Sequence, residues 1–344
     1  MKELINDFIN ISKAKGYKKH KIYYEINVLA YLAALKQQYP AMELAFNDVE
    51  AYQASLQEAM KIVAQAADQE LLTALAAYDY LYHKPFVQSF FEELVQNQAK
   101  ITTDLLDELS LANASRKEVY ELAYRLLEVP ASNAKVLDCC VNNDMFLRQI
   151  PKENHLAGYA PTAKDTILVT IQLRLQQINS DIKELDIVKD EHHGNYDRIF
   201  GDMHNFAFDK KACPFNEEIF MQSTTVWENI HQLYQQLDSQ GKMVFFMPQI
   251  ALDHLKGHHI RKALLKVQGL EKVILLPRYA SVNQRFDCAL VVLSHGNQEV
   301  SFIDARNMDK VIDSLQASEV INIASEKVET LNVFKDHTSL DLYK

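Results

Sequence analysis

The sequence contains little glycine. It has 344 residues and 8 glycines, whereas an average chain of this length, at about 7% glycine, carries roughly 24. None lies between Gly16 and Gly158. Glycine-rich loops that cradle phosphate or nucleotide groups need backbone with positive φ and no Cβ close to the ligand. The shortage therefore excludes such a loop from most of the first half of the chain.

Cysteines and long apolar runs are also scarce. The chain has 4 cysteines, with no CxxC pair and with Cys139 directly before Cys140, so neither a disulfide framework nor a zinc site is expected. No run of about 18 apolar residues occurs, and no short apolar segment follows a basic start, so we expect no membrane span and no signal peptide. These absences predict a cytoplasmic protein without bound metal.

Positive charge is in deficit. Lysine and arginine number 36 against 46 aspartate and glutamate residues, which gives a formal net charge of −10 and excludes a chain that holds nucleic acid by its bulk charge. One basic cluster with an aromatic residue stands out at 13–21, KAKGYKKHK. It is either a lysine-rich turn between two helices or a surface that contacts phosphates or an acidic protein.

The hydrophobic pattern divides the chain into two parts. Residues 1–113 have helical periodicity throughout, with Pro85 suited to the first turn of a helix. Further along, short apolar runs alternate with helical segments at 162–178, 217–240 and 251–267, which predicts an α/β domain with a mostly parallel sheet. Seven strands are predicted, over 135–138, 155–158, 196–200, 242–246, 272–276, 287–293 and 300–303. The gap between the runs at 272–276 and 287–293 is too short for a helical crossover, so these two strands are expected to be antiparallel.

The first predicted strand leads into a recognisable motif. Residues 135–147 read KVLDCCVNNDMFL and resemble the cofactor motif V-x-D-P-x-C-G-S-G-G-F-L of DNA adenine methyltransferases of the type I restriction-modification M-subunit kind. Val136, Asp138, Phe146 and Leu147 match the motif. The three glycine positions carry other residues, namely Asn142, Asp144 and Met145.

Weaker motifs follow in the order and at the spacing of the same family. They are YDRIFGDMHNF at 196–206, GKMVFFMP at 241–248, IRKALL at 260–265, LEKVILLP at 270–277, CALVVL at 288–293 and FIDA at 302–305. The resemblance implies a Rossmann-like class I S-adenosylmethionine-dependent methyltransferase fold at 114–310. We expect it to be preceded by an all-helical domain at 1–113 and followed by a C-terminal tail at 311–344.

The resemblance also implies a catalytic site. Methylation of the adenine amino group requires a flipped base, and in this family an Asn or Asp side chain and the carbonyl of the next proline accept its N–H bonds while an aromatic ring stacks on the base. Asp202 stands at the acceptor position. Met203 and His204 replace the two prolines, and Asn205 replaces the aromatic residue, which leaves Phe206, one residue later, as the candidate stacking ring.

The cofactor positions implied by the resemblance are Asp138, Asn142, Asp144, Phe146 and Ala160. Ala160 stands where an acidic residue would bind the ribose hydroxyls of S-adenosylmethionine, and such a charged acceptor contributes on the order of 2 to 3 kcal/mol. Cofactor binding and catalysis are therefore both expected to be impaired.

Three functions remain open on this basis. The leading expectation is a degenerate methyltransferase-like protein that acts as a non-catalytic subunit and binds DNA or a specificity or other restriction-modification subunit. The alternative is an active adenine-specific DNA methyltransferase in which Asp202 accepts and Phe206 stacks. A third is a DNA-recognition or assembly component that works with a separate catalytic subunit.

Overall fold

The computed structural model describes residues 2–79, 81–97, 116–141, 143–184, 194–203, 217–253, 258–277, 280, 287–306 and 319–322. The chain forms two compact units. The first comprises Met1–Asn113 with Thr162–Ile182, and the second comprises Ala114–Pro161 with Lys183–Lys344. The predicted domain boundaries near 113 and 310 stay predictions.

The first unit is helical in its described residues. Asp48 caps α3 by accepting a 2.7 Å hydrogen bond from the N–H of Ala51, and Pro85 occupies the first turn of α5 as predicted. The second helix is buried around most of its circumference and forms the centre of this unit. Its helices are α1 Lys2–Ala14, α2 Lys19–Gln38, α3 Val49–Ile62, α4 Ala66–Ala77, α5 Pro85–Gln96 and α7 Ala163–Leu175.

Helix α7 belongs to this unit although it lies between two strands in the sequence. Ile167 and Ile171 on α7 are buried in the same hydrophobic core as α2. At its end, Arg174 lies 3.5 Å from a carboxylate oxygen of Asp68, which also accepts a 2.9 Å hydrogen bond from the hydroxyl of Tyr31. Apolar packing and a buried polar cluster therefore both bind α7 to the helical unit.

The second unit is built on a nine-stranded sheet in the order β3-β2-β1-β4-β5-β7-β6-β8-β9. Strand β1 runs parallel to β2 and β4, and β4 runs parallel to β5. Strand β7 is antiparallel to both β5 and β6, which confirms the predicted antiparallel pair. The strands are β1 Lys135–Asp138, β2 His155–Ala160, β3 Asp181–Glu184, β4 Tyr196–Asp202, β5 Leu237–Pro248, β6 Leu270–Leu276, β7 Cys288–Leu293, β8 Glu299–Asp304 and β9 Glu319–Asn322.

Four further helices lie in the described part of the second unit. They are α6 Lys117–Leu127, α8 Glu217–Gln235, α9 Ile250–Asp253 and α10 His258–Lys266, with a short 3-10 helix at Leu147–Gln149. The single tryptophan, Trp227 on α8, is fully buried and donates a 2.7 Å hydrogen bond to the carbonyl of Ala251. It therefore reports on the core of this unit.

The sequence patterns miss three features of the sheet. Strand β3 reads DIKE and has no fully buried residue, so it lacks the apolar run that marks a strand. Strand β9, at the other edge of the sheet, is only four residues long, and its Val320 is 50% exposed. The helix predicted to continue to 240 instead ends at Gln235, because Leu237 pairs with Tyr196 before the register shifts to Arg198 and Lys242.

Left-handed backbone occurs at residues other than glycine. Glu128, Asn133, Gln177 and Gln268 have φ values of 51°, 63°, 57° and 55°. Gln177 and Gln268 are each the second residue after the end of a helix, α7 and α10, where the left-handed conformation most often belongs to glycine. The scarcity of glycine therefore imposes local backbone cost at these turns. None of the helices in the described part of the chain is long and apolar enough to cross a membrane.

Candidate functional site

The candidate site lies at the carboxyl ends of two adjacent parallel strands. Asp138 is the last residue of β1 and Asp202 the last of β4, and each is 2% exposed. Gly201 leaves room for the side chains packed over it: a Cβ there would lie 2.7 Å from the sulfur of Cys139 and 2.7 Å from the ring of Phe245. Ligands of open α/β sheets bind at this edge, so the structure brings together the two acidic residues that the sequence selects.

Asp202 is bound by a tyrosine that the sequence analysis did not select. The hydroxyl of Tyr120, on α6, donates a 3.0 Å hydrogen bond to Oδ2 of Asp202. The side-chain amide of Asn143 donates in turn to the Tyr120 oxygen, also at 3.0 Å. Burial, followed by the charge of Asp202, raises the pKa of Tyr120 well above its usual value. Tyr120 therefore stays protonated and acts as a fixed donor to the carboxylate.

Asp138 closes the turn that follows β1. Its Oδ1 accepts a 3.0 Å hydrogen bond from the N–H of Cys140. Burial is the main cause of a rise in the pKa of Asp138 to about 8; the hydrogen bond from Cys140 opposes this rise, and the nearby charge of Asp202 adds to it. Asp138 is therefore predominantly protonated at neutral pH.

The side chains that replace glycines point into the protein. Asp144 is 0% exposed and Met145 is 1% exposed. A guanidinium nitrogen of Arg148 lies 3.9 Å from the Asp144 carboxylate, and the side-chain oxygen of Asn143 accepts a 2.8 Å hydrogen bond from the N–H of Met145. The loop is thus filled and tied by its own side chains.

Other backbone donors of this loop are also engaged internally. The N–H of Val141 donates to the carbonyl of Tyr159 at 2.9 Å, and the N–H of Cys139 donates to the carbonyl of Phe200 at 2.8 Å. A glycine-rich loop offers backbone N–H groups to a ligand. Here the N–H groups of these two residues, like those of Cys140 and Met145, donate within the protein instead.

Phe146 and Ala160 are both fully buried. The ring of Phe146 stacks on Phe200 of β4, with centroids 4.3 Å apart and an angle of 27° between the planes, so it anchors the loop to the sheet. Ala160 ends β2 and carries no polar group that could bind a ribose.

On the base side, Met203 is 1% exposed. Its N–H donates to the carbonyl of Phe246 at 2.8 Å, and the thiol of Cys140 lies 3.4 Å from its sulfur. Met203 thus continues the apolar core where the family places a rigid proline. The predicted residues Asn142, His204, Asn205 and Phe206 lie outside the described residues.

The described residues do not fit S-adenosylmethionine at the positions that the resemblance assigns. Two of the loop positions that require glycine carry buried side chains, and Ala160 supplies no carboxylate to the ribose. Oδ1 of Asp138 and Oδ2 of Asp202 each accept a hydrogen bond from within the protein. Tyr120 of α6 connects Asp202 at the end of β4 with Asn143 in the loop after β1.

Tyr120 and Asn143 were missed because no motif marks them. Tyr120 lies 82 residues from its partner Asp202, a separation that local patterns do not connect. The available signal was a tyrosine on the apolar face of a strongly amphipathic helix, since a buried hydroxyl needs a partner.

Other proteins of known structure share this fold. No curated protein sequence is significantly similar to the chain. A modification subunit assigned to a type I restriction enzyme from Vibrio vulnificus YJ016 has a TM-score of 0.60 at 11% identity, over 90% of this chain and 86% of that one. The type I restriction-modification methyltransferase subunit from Streptococcus thermophilus has a TM-score of 0.57 at 14% identity, over 84% and 70%.

A third structure describes complex assembly and conformational transition of the type I R-M system, and one of its chains has a TM-score of 0.53 at 13% identity, over 83% of this chain and 72% of that one. These likenesses confirm the predicted α/β methyltransferase fold. The family model described as N-6 DNA Methylase matches residues 117–339, which is more than half of the sequence. The chain therefore belongs to the N-6 DNA methylase family.

Proposed function

We propose that this chain is a non-catalytic subunit of the restriction-modification M-subunit type that binds DNA or a partner subunit. One observation carries the proposal: the loop after β1 is filled by Asp144 and Met145, which are 0% and 1% exposed. A buried side chain occupies volume inside the protein, and close packing leaves no space for it to share with a ligand.

The chemistry of the second acidic residue supports the same function. Methyl transfer to an amino group needs acceptors that are free to receive the N–H bonds of the base. Oδ2 of Asp202 instead receives the hydroxyl of Tyr120, and Met203 supplies none of the backbone rigidity of a proline. Asp202 is thus a residue type that can accept hydrogen bonds, but its carboxylate is bonded within the core.

The relatives support a proposal about partners. The similar chains from Vibrio vulnificus and Streptococcus thermophilus are subunits of type I restriction-modification systems. We therefore propose DNA, or a specificity or other restriction-modification subunit, as the partner of this chain. Co-purification with such a subunit distinguishes an assembly component from a free-standing protein.

Calorimetric titration with S-adenosylmethionine tests the non-catalytic role. We expect no micromolar binding by the full chain, and no methyl incorporation into DNA when the labelled cofactor is supplied. Binding at micromolar affinity together with methyl incorporation would overturn the proposal. In that case Asp202→Ala should abolish methylation, as required for the active adenine methyltransferase in which Asp202 is the acceptor.

A further inference from the structure

The connection between α1 and α2 displays a group of lysines. Gly16 has φ of +80° and ends α1: its N–H donates to the carbonyl of Lys13, and the N–H of Tyr17 donates to the carbonyl of Ser12. This left-handed turn is one that glycine adopts without steric cost. Lys15, Lys18 and Lys19 are exposed and Lys21 is half-buried.

Aromatic rings contact three of these four lysines, namely Lys15, Lys19 and Lys21. Tyr17 stacks on Tyr82 with centroids 3.5 Å apart and planes 9° from parallel. The ammonium nitrogen of Lys21 lies 3.7 Å from the centre of the Tyr82 ring. Lys15 lies 5.4 Å from the ring of Phe86, and Lys19 lies 5.4 Å from the ring of Tyr23. Cation–π contacts at these distances favour fixed ammonium positions over free rotation.

The charge of this group is not balanced locally. Of the ion pairs formed between described residues, none involves Lys15, Lys18, Lys19 or Lys21. Burial lowers the pKa of His20, and the charges of Lys164, Lys18 and Lys21 lower it further. Lys164 lies on α7, so two parts of the helical unit contribute to one positive field.

The carboxylates close to this field cancel only part of it. Burial raises the pKa of Glu25, which interacts with Lys21, to about 8, so Glu25 is mostly neutral at pH 7. Asp79 lies 2.6 Å from the ring nitrogen of His83. Asp165 raises the pKa of Lys164 and so offsets part of the charge of that one lysine; its carboxylate also accepts a 2.6 Å hydrogen bond from the hydroxyl of Thr162.

We propose that Lys15, Lys18, Lys19, Lys21 and Lys164, with the Tyr17–Tyr82 stack, form a cationic-aromatic surface that binds the phosphate backbone of duplex DNA without reading its sequence. Lysine binds phosphate as a point charge, and no arginine in this group could read a base edge in a bidentate manner. The proposal rests on the proposed function, because it names the surface through which a non-catalytic subunit holds DNA.

Fluorescence anisotropy with the full chain and a short labelled duplex of mixed sequence tests this surface. Each lysine that neutralises a phosphate contributes about one unit to the slope of log affinity against log salt. Lys15→Gln, Lys19→Gln and Lys21→Gln combined should therefore weaken binding more than tenfold at low salt and reduce the slope by about 3. Lys36→Gln with Lys61→Gln is the control, since both lysines are ion-paired elsewhere in the helical unit.

The outcomes separate this proposal from the proposed function. Unchanged affinity and slope in the triple variant, equal losses in the control pair, or absence of duplex binding by the unmodified chain would each overturn the surface and leave the non-catalytic role standing. Tighter binding to polyglutamate than to the duplex would assign the surface to an acidic protein and also overturn the proposal. Micromolar binding of S-adenosylmethionine would overturn the non-catalytic role while leaving the lysine result intact. Circular dichroism verifies that each variant is folded.

Discussion

The hydroxyl of Tyr120 donates a 3.0 Å hydrogen bond to Asp202, the residue predicted to stand at the acceptor position of the family's catalytic motif. Both residues are buried, at 2% exposure each. Asp202 therefore makes a structural contact between α6 and the end of β4.

Tyr120→Phe should lower the free energy of unfolding by about 1 to 3 kcal/mol, because it removes a buried hydrogen bond to a carboxylate and leaves the acceptor without that donor. Urea denaturation followed by Trp227 fluorescence measures the change. Tyr124→Phe on the same helix is the matched control and should change stability by less than 0.5 kcal/mol, as is usual away from buried contacts. Equal effects from both substitutions would contradict a stabilising role for the Tyr120 bond.

Met145→Gly should lower the free energy of unfolding by about 2 to 5 kcal/mol, because it removes a fully buried side chain and leaves a cavity. Met145→Leu is the control, since a swap that conserves volume costs less than about 1.5 kcal/mol. Chemical denaturation of both variants checks the difference. A neutral or stabilising Met145→Gly would show that the loop tolerates a glycine, as an accessible cofactor cradle does.

The free energy of unfolding should fall as pH rises from 5 to 8. In the folded chain the pKa of Asp138 is raised to about 8 by burial, so the folded state favours its neutral form. This contribution is complete below the ordinary pKa of the unfolded chain and is lost as pH approaches 8, at up to about 1.4 kcal/mol per pH unit. Asp138→Asn, which keeps an oxygen to accept from Cys140, should flatten the profile.

Asp304 provides the control for this profile. Hydrogen bonds from Arg306 hold the pKa of Asp304 below its usual value, so its contribution is lost only as pH falls toward that value. Asp304→Asn should therefore leave the profile between pH 5 and 8 unchanged. Glu25, with a pKa of about 8, contributes in the same direction as Asp138, and a residual slope in Asp138→Asn should disappear when Glu25→Gln is added.

Gln177→Gly and Gln268→Gly should each raise the thermal midpoint, with a stabilisation of about 0.5 to 1 kcal/mol. Both residues adopt left-handed backbone after a helix, where glycine avoids the steric cost of a Cβ. The carbonyl of Gln268 accepts from Asn297, and this contact survives the substitution. Ala263→Gly, inside α10, is the opposite control and should destabilise by up to about 1 kcal/mol. A loss of stability in both glutamine variants would refute the backbone argument.

The sequence predicts most of the sheet because apolar runs mark buried strands. Strand β1 is predicted residue for residue, and the antiparallel arrangement of β6 and β7 follows from the length of the gap between them. Strand β3 escapes prediction because its residues face solvent or lie only partly buried, so no apolar pattern is required there. Strand ends and bulges, such as the start of β5 at Leu237, depend on pairing partners far away in the chain.

The site is predictable only through the resemblance. Aligned motifs select Asp138, Asp144 and Asp202, and all three are buried: Asp138 and Asp202 at the ends of β1 and β4, and Asp144 in the loop after β1. The hydrogen bonds to these residues come from Tyr120 and from within the loop after β1. They depend on tertiary packing, which the spacing of residues in the sequence does not reveal. The untested residues Asn142, His204, Asn205 and Phe206 keep their predicted roles as predictions.

The placement of α7 has a consequence for how the chain is made. Ile167 and Ile171 complete the core of the helical unit, yet β1 and β2 precede them in the sequence. During synthesis from the N-terminus, the helical unit therefore remains unfinished until the ribosome has also released the first two strands of the second unit. Incomplete units expose apolar surface, so we expect a nascent chain paused between 113 and 175 to depend on chaperones more than the finished protein does.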